Sequence, residues 1–282
     1  MKKNEIFTQR TADEFRTYLI RQEKSRNTVE KYCRDVRSLA AFASGAVLSK
    51  ELALDWKTSL SERGLSASSV NSMIASANSF FGFIGMPELK LHATRVQKQI
   101  FRPENEELTR DEYFVLVRRA EEERDERASL ILQTICSTGI RVSELGFITV
   151  EAALNGKASV SCKGKTRDVI IVRGLQKKLL EYASCRGIAG GSVIRTKNGQ
   201  PLSRVSVWRE MKRLCEGTGI DPKKVYPHNL RHLFARSFYD LDRDIAKLAD
   251  VLGHASIDTT RIYVISTGEE HRRKMEQLSL VI

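Results

Sequence analysis

The chain has 282 residues, of which 41% are hydrophobic and 29% are charged, and its formal net charge is +12. This length suggests two domains of ordinary soluble composition, and the apolar runs are too short to span a bilayer. Five scattered cysteines without C-x-x-C spacing argue against a disulfide framework or a zinc finger. The start of the chain has no apolar run typical of a secretory signal. We therefore predict that the cysteines are reduced thiols in a cytoplasmic protein. The basic excess favours a polyanionic partner such as nucleic acid; a basic protein without such a partner is the alternative.

Helical spacing of apolar residues dominates the first part of the chain. Ser25 and Asn27 are the predicted caps of the second helix, and Gly45, Gly64 and Gly85 end the second, third and fourth helical patterns. The predicted helices are 11–24, 25–45, 49–63 and 66–84. Gly85 and Pro87 then break the pattern. Residues 1–88 therefore predict a small helical bundle.

Residues 89–106 form the predicted linker between two domains. No acidic residue occurs between Leu89 and Pro103, and the basic residues there are Lys90, Arg95, Lys98 and Arg102. These side chains are predicted to lie close to a nucleic-acid backbone; a merely solvated connector fits the same pattern. The linker leaves residues 107–282 as the second domain.

The second domain begins with a helix capped by Thr109 and followed by acidic residues. Residues 160–162 and 169–172 are predicted strands joined by a polar turn at 163–168. Later helices are predicted at 176–186, 204–217, 228–240 and 243–252, and a last one starts near Ser256 and contains Tyr263. The predicted fold is therefore mainly helical, with one small antiparallel sheet.

Two arginines are candidates for gripping phosphate oxygens. Guanidinium groups bind two oxygens at once and keep their charge, which suits Arg141 and Arg231 to this task. Either arginine alone would be interpreted as a surface or phosphate-positioning residue. His228 precedes Arg231 by three residues at a helix start, so both side chains are predicted to project outward from one face. His232 is predicted to point elsewhere and to pack.

Tyr263 is the candidate nucleophile for attack on a phosphodiester. A phenol attacks well only beside positive charge or a base, because its ordinary pKa is about 10. His254 lies nine residues before Tyr263, so the two can share one cleft. His254 also follows a helix C-terminus, where the dipole favours a cationic imidazole; a simple helix cap is the alternative. The departing sugar oxygen needs a proton, which Lys163 or Lys165 of the predicted turn can supply.

Four segments resemble the catalytic motifs of the tyrosine recombinase (phage integrase) family, in particular its compact Xer-like branch. They are residues 138–145, 227–232, 252–254 and 258–263. Residues 25–32 are similar to the family's helical core-binding domain. The resemblance implies a SAM-like four-helix core-binding bundle at 1–88. It also implies a mixed α+β catalytic domain of the DNA breaking-rejoining type at 107–282, with a C-terminal tail helix.

The resemblance also implies a role for each matching residue. Arg141 and Arg231 would clamp the scissile phosphate, and Tyr263 would form a 3′-phosphotyrosyl bond. Lys163 falls at the family's hairpin lysine, the general acid, with Lys165 as a weaker candidate. The other implied residues are His228 as proton acceptor or phosphate donor, His254 as phosphate donor, Glu144 as support, and Arg26 and Lys31 with the linker cations as DNA contacts.

The implied activity is site-specific recombination without metal or ATP, in a tetramer assembled on double-stranded DNA. Short inverted-repeat sites and accessory proteins are the expected partners; no membrane is expected. Apolar residues of the tail after Tyr263 are predicted to dock on a neighbouring subunit; folding back on their own domain is the alternative.

Three other readings fit parts of the pattern. A type IB topoisomerase-like enzyme uses similar tyrosine chemistry to relax supercoils, and a DNA-binding regulator keeps the fold without cutting. A metal nuclease using His228 and His254 is disfavoured because no carboxylate pair accompanies them.

Overall fold

The computed structural model describes residues 7–95, 106–162, 165–263 and 268–278. The side chains of 162, 165, 268–271 and 274 are outside this description. The chain divides into two compact units, Met1–Lys98 and Gln99–Ile282. No helix of the described residues is both long enough and apolar enough to cross a membrane.

The N-terminal unit is built from four helices near the predicted positions. They are α1 (Gln9–Arg21), α2 (Arg26–Ala43), α3 (Lys50–Glu62) and α4 (Ala67–Phe83), followed by a short 3-10 helix, Pro87–Leu89. The hydroxyl groups of Thr8, Ser25, Ser49 and Ser66 each accept a hydrogen bond from the first turn of the helix that follows. Such caps satisfy backbone N–H groups that have no partner within the helix.

The core of this unit extends past the predicted boundary at residue 88. Leu89 and Leu91 are each 4% exposed and belong to the same buried cluster as Trp56. The Asn78 side chain fixes the backbone of Leu91 through two hydrogen bonds of 2.8 Å. The first residues of the predicted linker are therefore part of the bundle, because their apolar side chains complete its core.

The second unit is also mainly helical. Its helices are α5 (Arg110–Glu122), α6 (Glu126–Thr138), α7 (Val150–Asn155), α8 (Arg173–Cys185), α9 (Arg204–Leu214), α10 (Pro227–Asp242), α11 (Ile245–Leu252), α12 (Ile257–Arg261) and α13 (Gly268–Gln277). Short 3-10 helices occur at Val142–Phe147 and Pro222–Lys224. Helix α6 is central, because it packs against α5, α8, α9 and α10.

The predicted hairpin is present, but its strands are longer than expected. Strand β1 (Lys157–Cys162) pairs antiparallel with β2 (Lys165–Ile170), and Cys162 lies opposite Lys165. The predicted turn at 163–168 was therefore too long, and the second strand starts and ends earlier than 169–172. Residues 166–168 looked like a turn because they are polar, although they pair with β1.

The last helix before the candidate nucleophile is also shorter than predicted. Ser256 caps α12 as expected, but the helix ends at Arg261 and does not contain Tyr263. The Tyr263 N–H instead bonds to the Thr260 carbonyl at 2.9 Å. This tighter turn directs Tyr263 into a small buried cluster with Ala235, Leu248 and Leu252.

Candidate active site

Arg231 lies at the centre of the candidate site. It projects from the first turns of α10 and is only 2% exposed. Its Nη2 donates to the Leu252 carbonyl at 2.8 Å, and its Nη1 donates to the Gly139 carbonyl. These carbonyls lie at the C-terminal ends of α11 and α6, where unpaired oxygens and the helix dipole concentrate negative charge. Two helix ends therefore hold the buried cation.

The surroundings of Arg231 contain groups that lower its pKa and one that raises it. Burial lowers the pKa of Arg231, and its hydrogen bond to Tyr263 opposes that effect. The positive charges of Arg141 and Arg167 lower this pKa further. Since arginine starts from a very high pKa, the guanidinium remains charged at any working pH. The site therefore contains a fixed positive charge shielded from water.

Tyr263 lies directly beside this charge, as the predicted roles require. Its side chain is 3% exposed, and its hydroxyl lies 3.4 Å from Nε of Arg231, which donates to it. The phenol ring packs among three imidazoles. Its centroid lies 4.2 Å from that of His232, 5.5 Å from His254 and 5.7 Å from His228. The fold thus brings the candidate nucleophile to one predicted phosphate clamp.

His228 and Arg231 do not project outward together, contrary to the prediction. His228 is exposed, whereas Arg231 is buried. The helix turns Arg231 toward the ends of α6 and α11, because their carbonyls compensate its charge better than the unit's apolar core would. His228 therefore borders the site from the solvent side.

His232 does pack, but it does not point away from the site as predicted. It is 3% exposed, and its ring makes the shortest of the three imidazole contacts with Tyr263. Its ring also meets that of His228 edge-on at 4.8 Å. Sequence reasoning missed this contact because Tyr263 arrives from a distant part of the chain.

Arg141 and Glu144 form a second part of the site. Arg141 precedes the 3-10 helix Val142–Phe147 and receives two contacts from one carboxylate. Its backbone N–H donates to Glu144 Oε2 at 2.9 Å, and its Nη1 donates to Oε1 at 3.0 Å. The Arg141 side chain remains 38% exposed, so its outer face can receive a ligand. Glu144 thus orients an accessible guanidinium.

The Glu144 carboxylate is itself buried, with 2% of the residue exposed. Burial alone would raise the pKa of Glu144, but the Arg141 N–H bond and the charges of Arg167 and Arg141 outweigh it, so the pKa lies below its ordinary value. Arg167 supplies the third contact, from Nη2 to Oε2 at 2.8 Å. Arg167 was not singled out from the sequence. The alternation of β2 offered a signal, since Arg167 shares a strand face with buried Val169.

His254 contacts both Arg231 and Thr260. Its Nε2 lies 2.9 Å from Nη2 of Arg231, and its Nδ1 lies 2.8 Å from the hydroxyl of buried Thr260. Arginine can only donate, so Nε2 accepts, the imidazole proton resides on Nδ1, and Thr260 accepts it. His254 therefore has one defined tautomer.

The helix dipole, which favours a cationic imidazole, does not decide the charge state of His254. Burial lowers its pKa to about 4, and the charges of Arg231, Arg141 and Arg167 act in the same direction. These effects outweigh the favourable helix dipole at the end of α11, which is worth only about 1 kcal/mol. His254 is therefore a neutral imidazole near pH 7.

The predicted DNA contacts of the N-terminal unit differ in accessibility. Arg26 is 89% exposed and donates to Glu30 at 2.9 Å. The ammonium of Lys31 instead binds the Asp35 carboxylate at 2.5 Å and the Ser76 hydroxyl at 3.1 Å. Lys31 therefore neutralises a buried carboxylate within the bundle.

The remaining predicted cations are only partly described. Lys90 and Arg95 are exposed. The predicted residues whose side chains lie outside the described part of the chain are Lys98, Arg102, Lys163 and Lys165. In the described residues no cluster of three or more histidines, cysteines and acidic residues could hold a metal ion.

Comparison with known protein families covers both units. Residues 106–270 match the "Phage integrase family", and residues 12–85 match the "Phage integrase, N-terminal SAM-like domain". Tyrosine recombinase XerA from Pyrococcus furiosus is 30% identical over 278 residues, which cover 95% of this chain and 94% of that protein.

Solved structures show the same fold. The XerH site-specific recombinase in a post-cleavage complex with its palindromic difH substrate matches with a TM-score of 0.71 and 19% identity, over 89% of this chain and 79% of that one. A lambda integrase tetramer bound to a Holliday junction matches with a TM-score of 0.70 and 19% identity, over 89% of this chain and 75% of that one. The predicted fold class, a SAM-like helical domain with a mainly helical domain carrying a small antiparallel sheet, is confirmed.

Proposed function

Because this chain belongs to the phage integrase family of tyrosine recombinases, we propose that it cleaves and rejoins DNA strands at specific sites through a 3′-phosphotyrosyl bond to Tyr263. One observation carries the proposal. The Tyr263 hydroxyl lies 3.4 Å from Nε of Arg231, a buried guanidinium whose charge is compensated only by helix ends and neutral groups among the described residues. A phosphate entering this site meets a nucleophile and a cation side by side.

The cleavage step follows from the chemistry of these groups. Arg141 and Arg231 bind the non-bridging oxygens and offset the charge that grows on phosphorus in the transition state. The Tyr263 oxygen forms a bond to phosphorus while the bond to the 5′ oxygen breaks. His228 accepts the phenolic proton, and Lys163, or Lys165 in its place, protonates the departing 5′ oxygen.

Rejoining is the reverse of the same step. The phosphotyrosyl bond keeps the energy of the cleaved phosphodiester, so a 5′-hydroxyl from either strand can displace Tyr263 without a nucleotide cofactor. The balance of atoms and charge requires only the side chains named above. We therefore expect neither ATP nor a metal ion to be consumed or required.

Strand exchange between two duplexes needs four such sites, so the working form is a DNA-bound tetramer. The lambda integrase assembly on a Holliday junction has that composition, and XerH was captured on a palindromic site. By analogy, we propose short inverted-repeat DNA as the substrate of this chain. Met275 and Leu278 of the tail are 65% and 62% exposed, which supports the tail as the link between subunits.

The cleavage proposal is tested with a nicked suicide duplex. Cleavage near the nick releases a short fragment that carries the free 5′-hydroxyl, and its diffusion away prevents rejoining and traps the covalent complex. The DNA comes from the native genome, recovered by crosslinking to this protein. Wild-type protein should form an adduct that survives denaturation and is digested by protease. Tyr263→Phe should form none, a loss of at least about 10⁴-fold, because the only attacking oxygen is gone.

Tyr182→Phe is the matched control. Tyr182 is a partly buried residue of helix α8 that packs against the core of the second unit and takes no part in the candidate site. It should form the adduct at the wild-type rate. An adduct with Tyr263→Phe contradicts the proposal. A two-site plasmid then separates the activities, since a recombinase yields resolved or inverted products and a topoisomerase yields relaxed circles only.

A further inference from the structure

Arg167 reaches the candidate site from an unexpected place, the middle of strand β2. Its side chain is only 14% exposed, although it belongs to a polar stretch. Its Nη2 donates to Glu144 Oε2 at 2.8 Å, and its Nη1 donates to the Val251 carbonyl at 3.1 Å. One guanidinium therefore ties the hairpin to the Arg141–Glu144 pair and to the end of α11.

The end of α11 is shaped to accept this side chain. Gly253 has φ +65°, and a Cβ added there would lie 2.1 Å from Cδ of Arg167 and 2.6 Å from its Nε. Only glycine combines this left-handed backbone with such a close approach. The Arg167 stem thus lies against the residue that immediately precedes His254.

Glu144 depends on Arg167 for one of its two cationic partners. Its Oε1 accepts from Arg141 Nη1, while its Oε2 accepts from the Arg141 backbone N–H and from Arg167. If Arg167 is removed, a carboxylate that is 2% exposed keeps one cation instead of two. The remaining cation, Arg141, would then be drawn toward Glu144 and away from an incoming phosphate.

We propose that Arg167 is a positioning residue for DNA cleavage, which holds Glu144 so that Arg141 presents its fork to the phosphate and holds the Val251–Gly253 turn that places His254. The inference rests on the proposed function, since it concerns the rate of that cleavage. Arg167 acts through these neighbours rather than on the phosphate, because its side chain is only 14% exposed and its two terminal nitrogens donate to Val251 and Glu144.

The test compares Arg167→Lys and Arg167→Gln with wild type on the suicide duplex at saturating DNA. Adduct formation should fall about 10²-fold for the glutamine variant, since small misplacement of a catalytic group has effects of this size. The lysine variant should lose less, because it keeps the charge but not the two-pronged geometry. DNA affinity, measured with Tyr263→Phe in each background, should change by less than about threefold, because Arg167 makes no phosphate contact.

Two further measurements separate positioning from a general loss of structure. A methylphosphonate at the scissile position removes the negative charge that Arg141 must neutralise, so the deficit of Arg167→Gln should shrink to less than about tenfold. In a double-mutant cycle with Glu144→Gln, the two losses should not add, because both act on Arg141. Lys157→Gln is the control, since it removes only an exposed ion pair with Asp168 on the same hairpin and should cleave like wild type.

Each result decides between explanations. Normal cleavage by Arg167→Gln, additive losses with Glu144→Gln, or weaker binding with normal cleavage at saturation would each overturn the inference. An equal deficit on phosphate and methylphosphonate would overturn it as well, because it would mean general damage to the fold. If wild-type protein forms no adduct at all, the proposed function itself fails, and this inference fails with it.

Discussion

The guanidinium of Arg231 is compensated by backbone carbonyls rather than by a carboxylate. Among the described residues no acidic side chain pairs with it, whereas Arg141 and Arg167 share Glu144. A carboxylate would compete directly with phosphate for Arg231. Carbonyl groups carry only partial charge, so a phosphate oxygen can take over the interaction at little cost. The site is therefore organised in advance for an anion beside Tyr263.

The neutral state of His254 makes stability depend on pH. The folded protein holds the pKa of His254 at about 4, whereas its ordinary value is 6.5. Between these values the unfolded chain binds more protons, so the free energy of unfolding should fall as pH decreases from about 6.5 toward about 4. Urea unfolding at pH 7.5 and pH 5 measures this loss, which His254→Gln should reduce.

His92→Gln is the matched control, because His92 is an exposed histidine of the N-terminal unit. It should leave the pH dependence unchanged. Glu144 does not affect this comparison above pH 5. Its pKa is lowered in the folded protein, so the stability that it contributes is lost only as pH falls below the ordinary glutamate value of 4.5. Equal pH dependence in wild type and His254→Gln would contradict the assigned state of His254.

Two helix ends, rather than one loop, build the site. Gly139 follows α6 and Gly253 follows α11 as C-caps with left-handed backbone, and each helix end presents a carbonyl to Arg231. A Cβ on Gly139 would lie 2.4 Å from the Phe234 ring, so this turn is closely packed as well. The packing of α6 in the core therefore fixes the site's position.

Gly253→Ala should disturb the site more than an ordinary loss of glycine. The left-handed backbone alone costs about 1 kcal/mol for alanine, and displacement of Arg167 from its charged partner Glu144 adds about 2 kcal/mol. We expect a lower free energy of unfolding, measured with urea, together with slower adduct formation.

Gly219→Ala is the control for the backbone effect. Gly219 has φ +75°, but an added Cβ would meet no atom within 4 Å. This variant should lose only the backbone contribution and should cleave normally. If both alanine variants lose equal stability and cleave alike, the contact between Gly253 and Arg167 has no functional weight.

If the C-terminal tail has its proposed role, DNA binding and assembly of subunits depend on different parts of the molecule. Residues 269–282 contain three basic and three acidic residues, so their removal leaves the net charge of +12 unchanged. Truncation after Gly268 should therefore keep the affinity for a single site within about threefold, because net charge governs much of that binding. It should abolish pairing of two sites, measured by native gel mobility and sedimentation.

Full-length variants show whether pairing of two sites depends on the apolar side chains of the tail or only on the tail being present. Met275→Ser combined with Leu278→Ser should reproduce the loss of pairing, since both side chains are more than half exposed. Arg272→Ser combined with Glu276→Ser removes a charge of each sign from the same helix and should pair normally. Normal pairing by the truncated protein would show that the tail does not link the subunits.

Much of the fold follows from local pattern. Helical periodicity and glycine stops placed α1 to α4 within a few residues, because both signals are local in sequence. The polar strand β2 and the short helix α12 were misjudged, because their conformations depend on strand pairing and on the burial of Tyr263. Local signals do not contain those contacts.

The sequence by itself determined the family, the two-part helical fold and the set of candidate residues, because these depend on residue types in a fixed order. Only the tertiary structure decided that Arg231 is buried, that His254 is neutral, that His232 contacts Tyr263 and that Arg167 binds Glu144. The physical reason is distance along the chain. Burial and electrostatic fields arise from groups that folding brings together from α6, β2, α10 and α11, and a linear pattern does not specify their geometry.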